Sequence, residues 1–495
     1  MNKYILSVDA GTSSSRAILF NKNGEINGIS QYEFKQNYPK NGWVEHDPVE
    51  IWNTQLKAIK DVLIQSRISV NRIYSIGITN QRETTVIWNK ETGIPIYNAI
   101  VWQDRRTKAY CNQLKSENFE SIFTHKTGLL LDPYFSGTKI KWIFDNHPKL
   151  YELAKENKIA FGTIDTWLIW QLTNGKKHIT DVTNASRTLL YNIHELKWDS
   201  ELLDILSIPE NILPKVVSSS EFIGFTNENI LGAEIPITAI AGDQQASLFG
   251  QMCINEGDVK NTYGTGCFCM MNTGQKIVKS KNKMLSTIAY QINGKTNYAI
   301  EGSVFIGGSL IHWLRDQLEI ISSASEIETL ANSVIDNGGL TFISALSGLG
   351  APYWDPNATG SILGITTKTN KGHIARAALE AIAIRSYEII SNMEKDSKIK
   401  FSSLKVDGGA SVNNLLMQIQ CNILQKNVIR PKLTECTSLG IAFLSGLASG
   451  YWNSKEDLKN IWHTERIFTP QNKDQHLISN WNEKMKILHL KQKKY

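Results

Sequence analysis

Three strand-like runs, near residues 4–8, 16–20 and 27–34, follow one another before the first helical spacing, Ile51, Trp52, Leu56, Ile59 and Leu63, and a further run, Ile76-Gly77-Ile78, comes after it. Hairpin-linked strands followed by a helix and a returning strand predict a mixed sheet with helices packed on it. The second half repeats this grammar without obvious sequence identity. Strands at 259–263 and 285–292 precede a long apolar-striped helix from about His373 to Met393 and a strand Leu404-Lys405-Val406. At 495 residues the chain exceeds what one hydrophobic core usually supports. Two α/β domains are therefore expected, 1–250 and 251–495, facing each other across a cleft. No long Pro/Gly/Ser linker separates them, so a tight hinge should join them.

The turn of the first hairpin is Asp9-Ala10-Gly11-Thr12-Ser13-Ser14-Ser15-Arg16. Small residues let backbone N–H groups approach an anion, hydroxyls add donors, Arg16 adds positive charge, and Asp9 offers an oxygen ligand for Mg²⁺. An ordinary Gly/Ser turn is the plainer reading. A second Gly/Thr turn, Asn261-Thr262-Tyr263-Gly264-Thr265-Gly266-Cys267-Phe268, follows a strand early in the second half, and its donors suit terminal phosphate oxygens. Gly294-Lys295-Thr296 matches the end of a P-loop, but the required first glycine falls on Ala289, and Asn293-Gly294 reads better as a two-residue hairpin turn.

Strand ends supply further candidates. Asp243 follows the apolar run 237–241 where α/β proteins place ligands; it is the best general-base candidate, and equally an N-cap for a helix beginning near Ala246. Asn80-Gln81-Arg82-Glu83 crowds another strand end with groups able to read polyol hydroxyls, and Trp102, Asp104 and Tyr134 are further polar or aromatic candidates. Asp407-Gly408-Gly409-Ala410 either lets a flat ligand lie on backbone or simply turns the chain from strand to helix.

The formal net charge of +6 comes from 53 Lys and Arg against 47 Asp and Glu, with basic residues gathered in Lys484-Met485-Lys486 and Lys491-Gln492-Lys493-Lys494. A solvated helical tail explains these, and without a basic stripe or a reading motif no nucleic-acid partner is expected. Six cysteines without paired Cys-x-x-Cys knuckles read as reduced core thiols. The N-terminus shows no signal-peptide pattern, and no run of 18 apolar residues occurs, so no stable membrane insertion and a cytoplasmic setting are expected.

With these residues in place, the chain resembles the carbohydrate-kinase family, whose two domains share the ribonuclease-H-like fold of actin and hexokinase, and within it the glycerol-phosphorylating members. The resemblance is nearly full length. It is carried by GWVEHDP (42–48), GITNQRETT (77–85), DPYFSGTK (132–139), DTWLIW (165–170), TNASRTL (183–189), GDQQA (242–246), NTYGTGCF (261–268), GLGAPYWDP (348–356) and DGGA (407–410), in that order.

The resemblance implies that Thr12, Ser13, Ser14 and Arg16 engage the phosphates of ATP, with Asp9 near Mg²⁺ and Thr265, Gly308, His312, Gly409 and Asn413 completing the nucleotide site. It places glycerol against Arg82, Glu83, Tyr134, Asp243 and Gln244, with Trp102 and Phe268 as the apolar wall. It implies in-line transfer of the γ-phosphoryl group with Asp243 as general base, and self-association as a homodimer or homotetramer. Ala10 and His312 stand where glutamine is usual, and Ser13 where threonine is. Residues 222–235 contain neither the arginine nor the histidine through which some bacterial relatives are controlled, so neither control is expected. A kinase for another polyol or sugar, such as xylulose or erythritol, is disfavoured by Arg82-Glu83, Trp102 and Tyr134. A nucleotide-binding regulator without turnover is disfavoured by Asp9, Thr265 and Asp243.

Overall fold

A computed structural model describes residues 3–355, 357–471 and 474–492. Lys493 and Lys494 of the basic tail lie outside the described residues.

Thirteen strands form one sheet. The first half contributes β1 (Tyr4–Ala10), β2 (Ser14–Phe20), β3 (Ile26–Glu33), β4 (Ile73–Asn80), β5 (Ser220–Phe225) and β6 (Pro236–Gly242). The second contributes β7 (Val259–Tyr263), β8 (Cys267–Gly274), β9 (Leu285–Ile292), β10 (Lys295–Val304), β11 (Ser403–Asp407), β12 (Asn427–Pro431) and β13 (Thr464–Phe468). The order is β13-β12-β11-β7-β8-β10-β9-β5-β6-β4-β1-β2-β3. In each half three antiparallel strands continue into two parallel ones: β3-β2-β1 into β4 and β6, and β10-β8-β7 into β11 and β12. This is the ribonuclease-H-like arrangement, present twice. The halves join edge to edge through a single pair, Ser220 and Ile292.

Local chemistry explains these elements. In β1, Leu6, Val8 and Ala10 face one buried cluster while Ile5 faces another, the period of two that a strand covered on both faces requires. Ala10 therefore points into the core. Asn293 and Gly294 both have positive φ (51° and 72°), as a tight two-residue hairpin demands. Helix α1 (Pro48–Gln65) starts with Pro at its first position and Asp47 accepting from the Val49 N–H, and lies on β2 and β3.

Three further helices matter for the cleft: α2 (Asp243–Gly250), α3 (Lys371–Ser397) and α4 (Cys436–Ser449). Although α4 follows β12 of the second half, it packs on β1, β4 and β6 of the first and crosses α2. The crossing is closer than side chains allow. A Cβ on Gly440 would lie 1.8 Å from the Ala246 carbonyl oxygen, and one on Gly250 would lie 2.0 Å from that of Cys436.

Between β4 and β5 the chain adds short helices and two-stranded sheets with their own core around Phe123, Phe135, Ile140 and Leu190. All six cysteines are free and buried. No described helix is long and apolar enough to cross a membrane.

Candidate active site

Register brings the candidate residues together. Parallel pairing aligns Ala10 with Asn80 and Asn80 with Gly242, so the first hairpin turn, Arg82-Glu83 and Asp243 emerge side by side from the carboxyl ends of β1, β4 and β6. In the second half Thr262 pairs with Asp407, which sets the Gly264-Thr265 turn beside Gly408-Gly409. Two cavities open along these ends, of about 580 and 430 Å³, and both are lined by Gly264 and Thr265.

The larger cavity is lined by Thr12, Ser13, Arg82, Glu83, Trp102, Tyr134, Asp243, Gln244 and Phe268, all singled out from the sequence. Trp102 meets Tyr134 and Phe268 edge-on, with centroids 5.5 and 6.2 Å apart, forming an aromatic wall. Arg82 is buried and held by both oxygens of Glu301 at 2.6 and 2.9 Å, by Gln245 Oε1 at 3.1 Å and by the Tyr134 oxygen at 3.4 Å. Its Nε lies 3.4 Å from Asp243 Oδ1. Its stem passes so close to Gly242 that a Cβ there would fall 2.6 Å from it.

Glu83 has a left-handed backbone, φ 61°, and accepts from Arg187 Nε at 2.6 Å. Burial pushes the Glu83 carboxyl up against the pull of Arg82 and Arg187. For Glu301 burial acts the same way, but Arg187 and Arg82 outweigh it and hold the carboxyl at about 2.

Asp243 does not cap the helix: α2 begins at Asp243 itself, with Gly242 in the cap position. Its Oδ1 accepts from the Gln244 N–H at 2.7 Å, and the side chain keeps 29% of its surface exposed. Gln244 is oriented from behind by buried Lys260, whose Nζ donates to Gln244 Oε1 at 2.6 Å and to Thr262 Oγ1 at 2.7 Å.

The smaller cavity is lined by Gly308, His312, Gly409 and Asn413 besides Thr265. The turn reading of the double glycine holds for Gly408. Gly408 has φ +84° and a Cβ there would meet Tyr263 backbone at 2.6 Å, so it serves the turn, while nothing lies within 4 Å of a Cβ on Gly409. Gly308 donates to the Gly264 carbonyl at 2.8 Å, and Asn413 caps helix Asn414–Leu424 through the Leu416 N–H.

Other sequence candidates stand outside both linings. Ser14 accepts from Gln31 Nε2 at 3.0 Å, and Arg16 pairs with Glu435 and donates to Gln31 Oε1. Asp9 lies behind the turn, where its Oδ2 accepts from Ser438 Oγ at 3.0 Å. Withdrawal from water pushes its carboxyl up to about 6, against the pull of Arg16 and Ser438, with Asp243 adding to the rise. Asp104 is committed to Arg106 and the Val44 N–H.

Sequence reasoning passed over Glu301, Arg187, Lys260, Lys139 and Ser438. A signal existed for two of them. Glu301 and Lys260 are charged residues at interior positions of β10 and β7, which a fold buries only when they are partnered.

The N-terminal domain of the FGGY family of carbohydrate kinases matches residues 4–250 and its C-terminal domain residues 259–449. The chain is 54% identical to a glycerol kinase of Petrotoga mobilis, over 97% of each chain, and 55% identical to one of Clostridium botulinum, over 98% of each. A crystal structure of Plasmodium falciparum glycerol kinase with ADP superimposes with a TM-score of 0.91 at 35% identity, covering 98% of both chains.

Proposed function

The chain belongs to the FGGY family of carbohydrate kinases, and on that premise we propose that it transfers the γ-phosphoryl group of ATP to a primary hydroxyl of glycerol, giving sn-glycerol 3-phosphate. The observation that carries this reading is the pair of cavities sharing Gly264 and Thr265, one lined by Asp243, Arg82 and an aromatic wall, the other by Gly308, Gly409 and Asn413.

In this reading Arg82, Glu83, Tyr134 and Gln244 meet the three hydroxyls, and Trp102 and Phe268 face the carbon chain. Asp243 accepts the proton of the hydroxyl as its oxygen bonds to phosphorus and the bond to the ADP oxygen breaks. Thr12, Ser13 and Thr265 face the terminal phosphates, and Gly308, His312, Gly409 and Asn413 the nucleoside end. Ser14 and Arg16, each with partners behind the turn, shape it.

Among the described residues no group of three or more His, Cys, Asp or Glu side chains gathers as a metal cage. Asp9 and Asp243 nevertheless suit Mg²⁺, which typically takes one or two carboxylates and completes its shell with phosphate oxygens and water. Mg²⁺ bound with the nucleotide neutralises charge on the transferring group. We assign residues 1–250 and 251–495 to two bodies hinged at the α2–α4 crossing, whose closure excludes water as a competing acceptor. A cytoplasmic setting, where thiols stay reduced, suits the six free cysteines. The exposed pair Phe222 and Phe225 offers an apolar surface for self-association as a dimer or tetramer.

The test is to supply Mg-ATP with glycerol, xylulose, erythritol and gluconate and to measure ADP and phosphorylated product. Glycerol should be turned over fastest, and Asp243→Asn should retain nucleotide binding while losing most turnover. Faster transfer to a sugar overturns the substrate assignment, and unchanged turnover in Asp243→Asn overturns the base.

A further inference from the structure

A third cavity, of about 650 Å³, lies away from the cleft, where the turn between β2 and β3 meets the carboxy-terminal segment. It sits at the opposite end of β2 from the phosphate turn. Leu433, Leu439, Ile461 and Trp462 give it an apolar lining, Lys22 and Lys432 give it positive charge, and His463 stands at its rim. Lys432 and His463 form no ion pair among the described residues, while Lys22 lies over the Tyr451 ring at 4.7 Å. Glu25, the carboxylate in the lining, accepts from Asn21 Nδ2 at 2.8 Å. Trp462 contributes its ring to the wall, and Lys405 Nζ lies 4.7 Å from the centre of that ring.

The cavity also borders a segment that reaches the cleft. Leu433 and Leu439 line it. Between them, Glu435 pairs with Arg16 and Ser438 donates to Asp9, both on the phosphate hairpin. The β2–β3 turn is seated on the same wall: Gly24, at φ +73°, lies so close to Ile461 that a Cβ would fall 2.2 Å from its side chain.

We propose that this cavity binds a small organic anion, a carboxylate or phosphate with an apolar portion, and that occupancy alters nucleotide handling through residues 433–439. Lys432 supplies the charge, and the Leu433–Leu439–Trp462 lining takes the apolar portion. The binding claim stands by itself. The coupling claim rests on the nucleotide reading of the cleft, so the test reads binding and kinetics separately.

The full chain is titrated with 8-anilinonaphthalene-1-sulfonate, an apolar aromatic anion, by fluorescence, with and without saturating Mg-ADP, and with uncharged N-phenyl-1-naphthylamine as the control probe. One saturable site that persists in Mg-ADP is expected, weakened by about tenfold in Lys432→Glu, with the neutral probe shifted by less than about twofold. The anion should change the KM for ATP by about twofold or more in the parent protein and not in Lys432→Glu. If that variant does not fold, His463→Glu tests the same rim. Equal affinity of the anion for parent and variant, or its full displacement by Mg-ADP, overturns the site. Binding that leaves the KM for ATP unchanged overturns the coupling.

Discussion

The indole N–H of Trp102 donates to Thr12 Oγ1 at 3.0 Å, tying the aromatic wall of the larger cavity to the turn assigned to phosphates. One residue thus bounds the proposed acceptor pocket and steadies the turn proposed to hold the phosphates. Trp102→Phe keeps an apolar ring but removes the donor, and one neutral hydrogen bond contributes about 1 kcal/mol. The variant should lose about fivefold in kcat/KM for ATP while the KM for glycerol changes less. Steady-state kinetics varying each substrate in turn decides it, and an unaltered ATP dependence would sink the link.

Glu301 shares with Glu83 the neutralisation of two buried guanidinium groups, lying 2.6 Å from Arg82 and 3.0 Å from Arg187. Glu301→Gln leaves buried positive charge uncompensated, a change that destabilises by about 3–5 kcal/mol. The sign of the pH effect follows from the carboxyl being held at about 2, below its ordinary 4.5. The stability it contributes is complete above about 4.5 and is lost as pH falls toward 2. Denaturant unfolding of the parent and the variant at pH 7 and pH 4 tests both points; a variant as stable as the parent at pH 7 would refute the counter-charge role.

These partnerships mark where sequence reading stopped. The hairpins, the turn at Asn293-Gly294 and the strand-end positions of Asp243 and Arg82 were legible because they follow from period, turn chemistry and local order. Arg82 and Glu301 stand 219 positions apart, and Asp9 and Ser438 stand 429 apart. No local pattern announces a partner at such range. The helices between β4 and β5 are short, and nothing local marks the role of the buried Lys139 that they place, while Tyr134 stood out only as an aromatic candidate. The committed partners of Ser14 and Arg16 were invisible for the same reason: Gln31 and Glu435 come from other elements.

Lys139 is such a hidden residue. Its buried Nζ donates to the Tyr134 carbonyl at 2.6 Å and the Glu83 carbonyl at 3.3 Å, and Ser136 Oγ donates to the same Glu83 oxygen at 2.9 Å. The left-handed backbone of Glu83 is thereby pinned from behind. Lys139→Met should raise the KM for glycerol by about tenfold or more while leaving the KM for ATP within about twofold. Burial pushes the Lys139 ammonium down to about 7 from 10.5, so the unfolded chain binds the extra proton between those values and this group's contribution to stability rises with pH there. The methionine variant should lack that rise. Equal effects on both KM values would show general damage to the fold instead.

The α2–α4 crossing makes a mechanical prediction. With a Gly440 Cβ falling 1.8 Å from the Ala246 carbonyl oxygen, Gly440→Ala must push two helices apart by backbone movement, destabilising by about 1–3 kcal/mol. Thermal melting measures this. A melting temperature equal to that of the parent would show that the crossing can widen freely, and would remove it as the proposed hinge.

In the proposed site Asp9 should set the acid limit of nucleotide use. Its carboxyl, pushed up to about 6, must be ionised to meet a cation, so the KM for Mg-ATP should climb about tenfold per pH unit below about 6 while glycerol binding holds. For folding the sign is opposite to that of Glu301. The folded chain holds the Asp9 proton between 3.8 and about 6 where the unfolded chain has released it, so the stability from this group falls as pH rises through that window. Ser438 stabilises the ionised form through its donated hydrogen bond, and Ser438→Ala should move the acid limb to higher pH while leaving the KM for Mg-ATP at pH 8 little changed. An acid limb that stays in place after Ser438→Ala would mean that another group controls it.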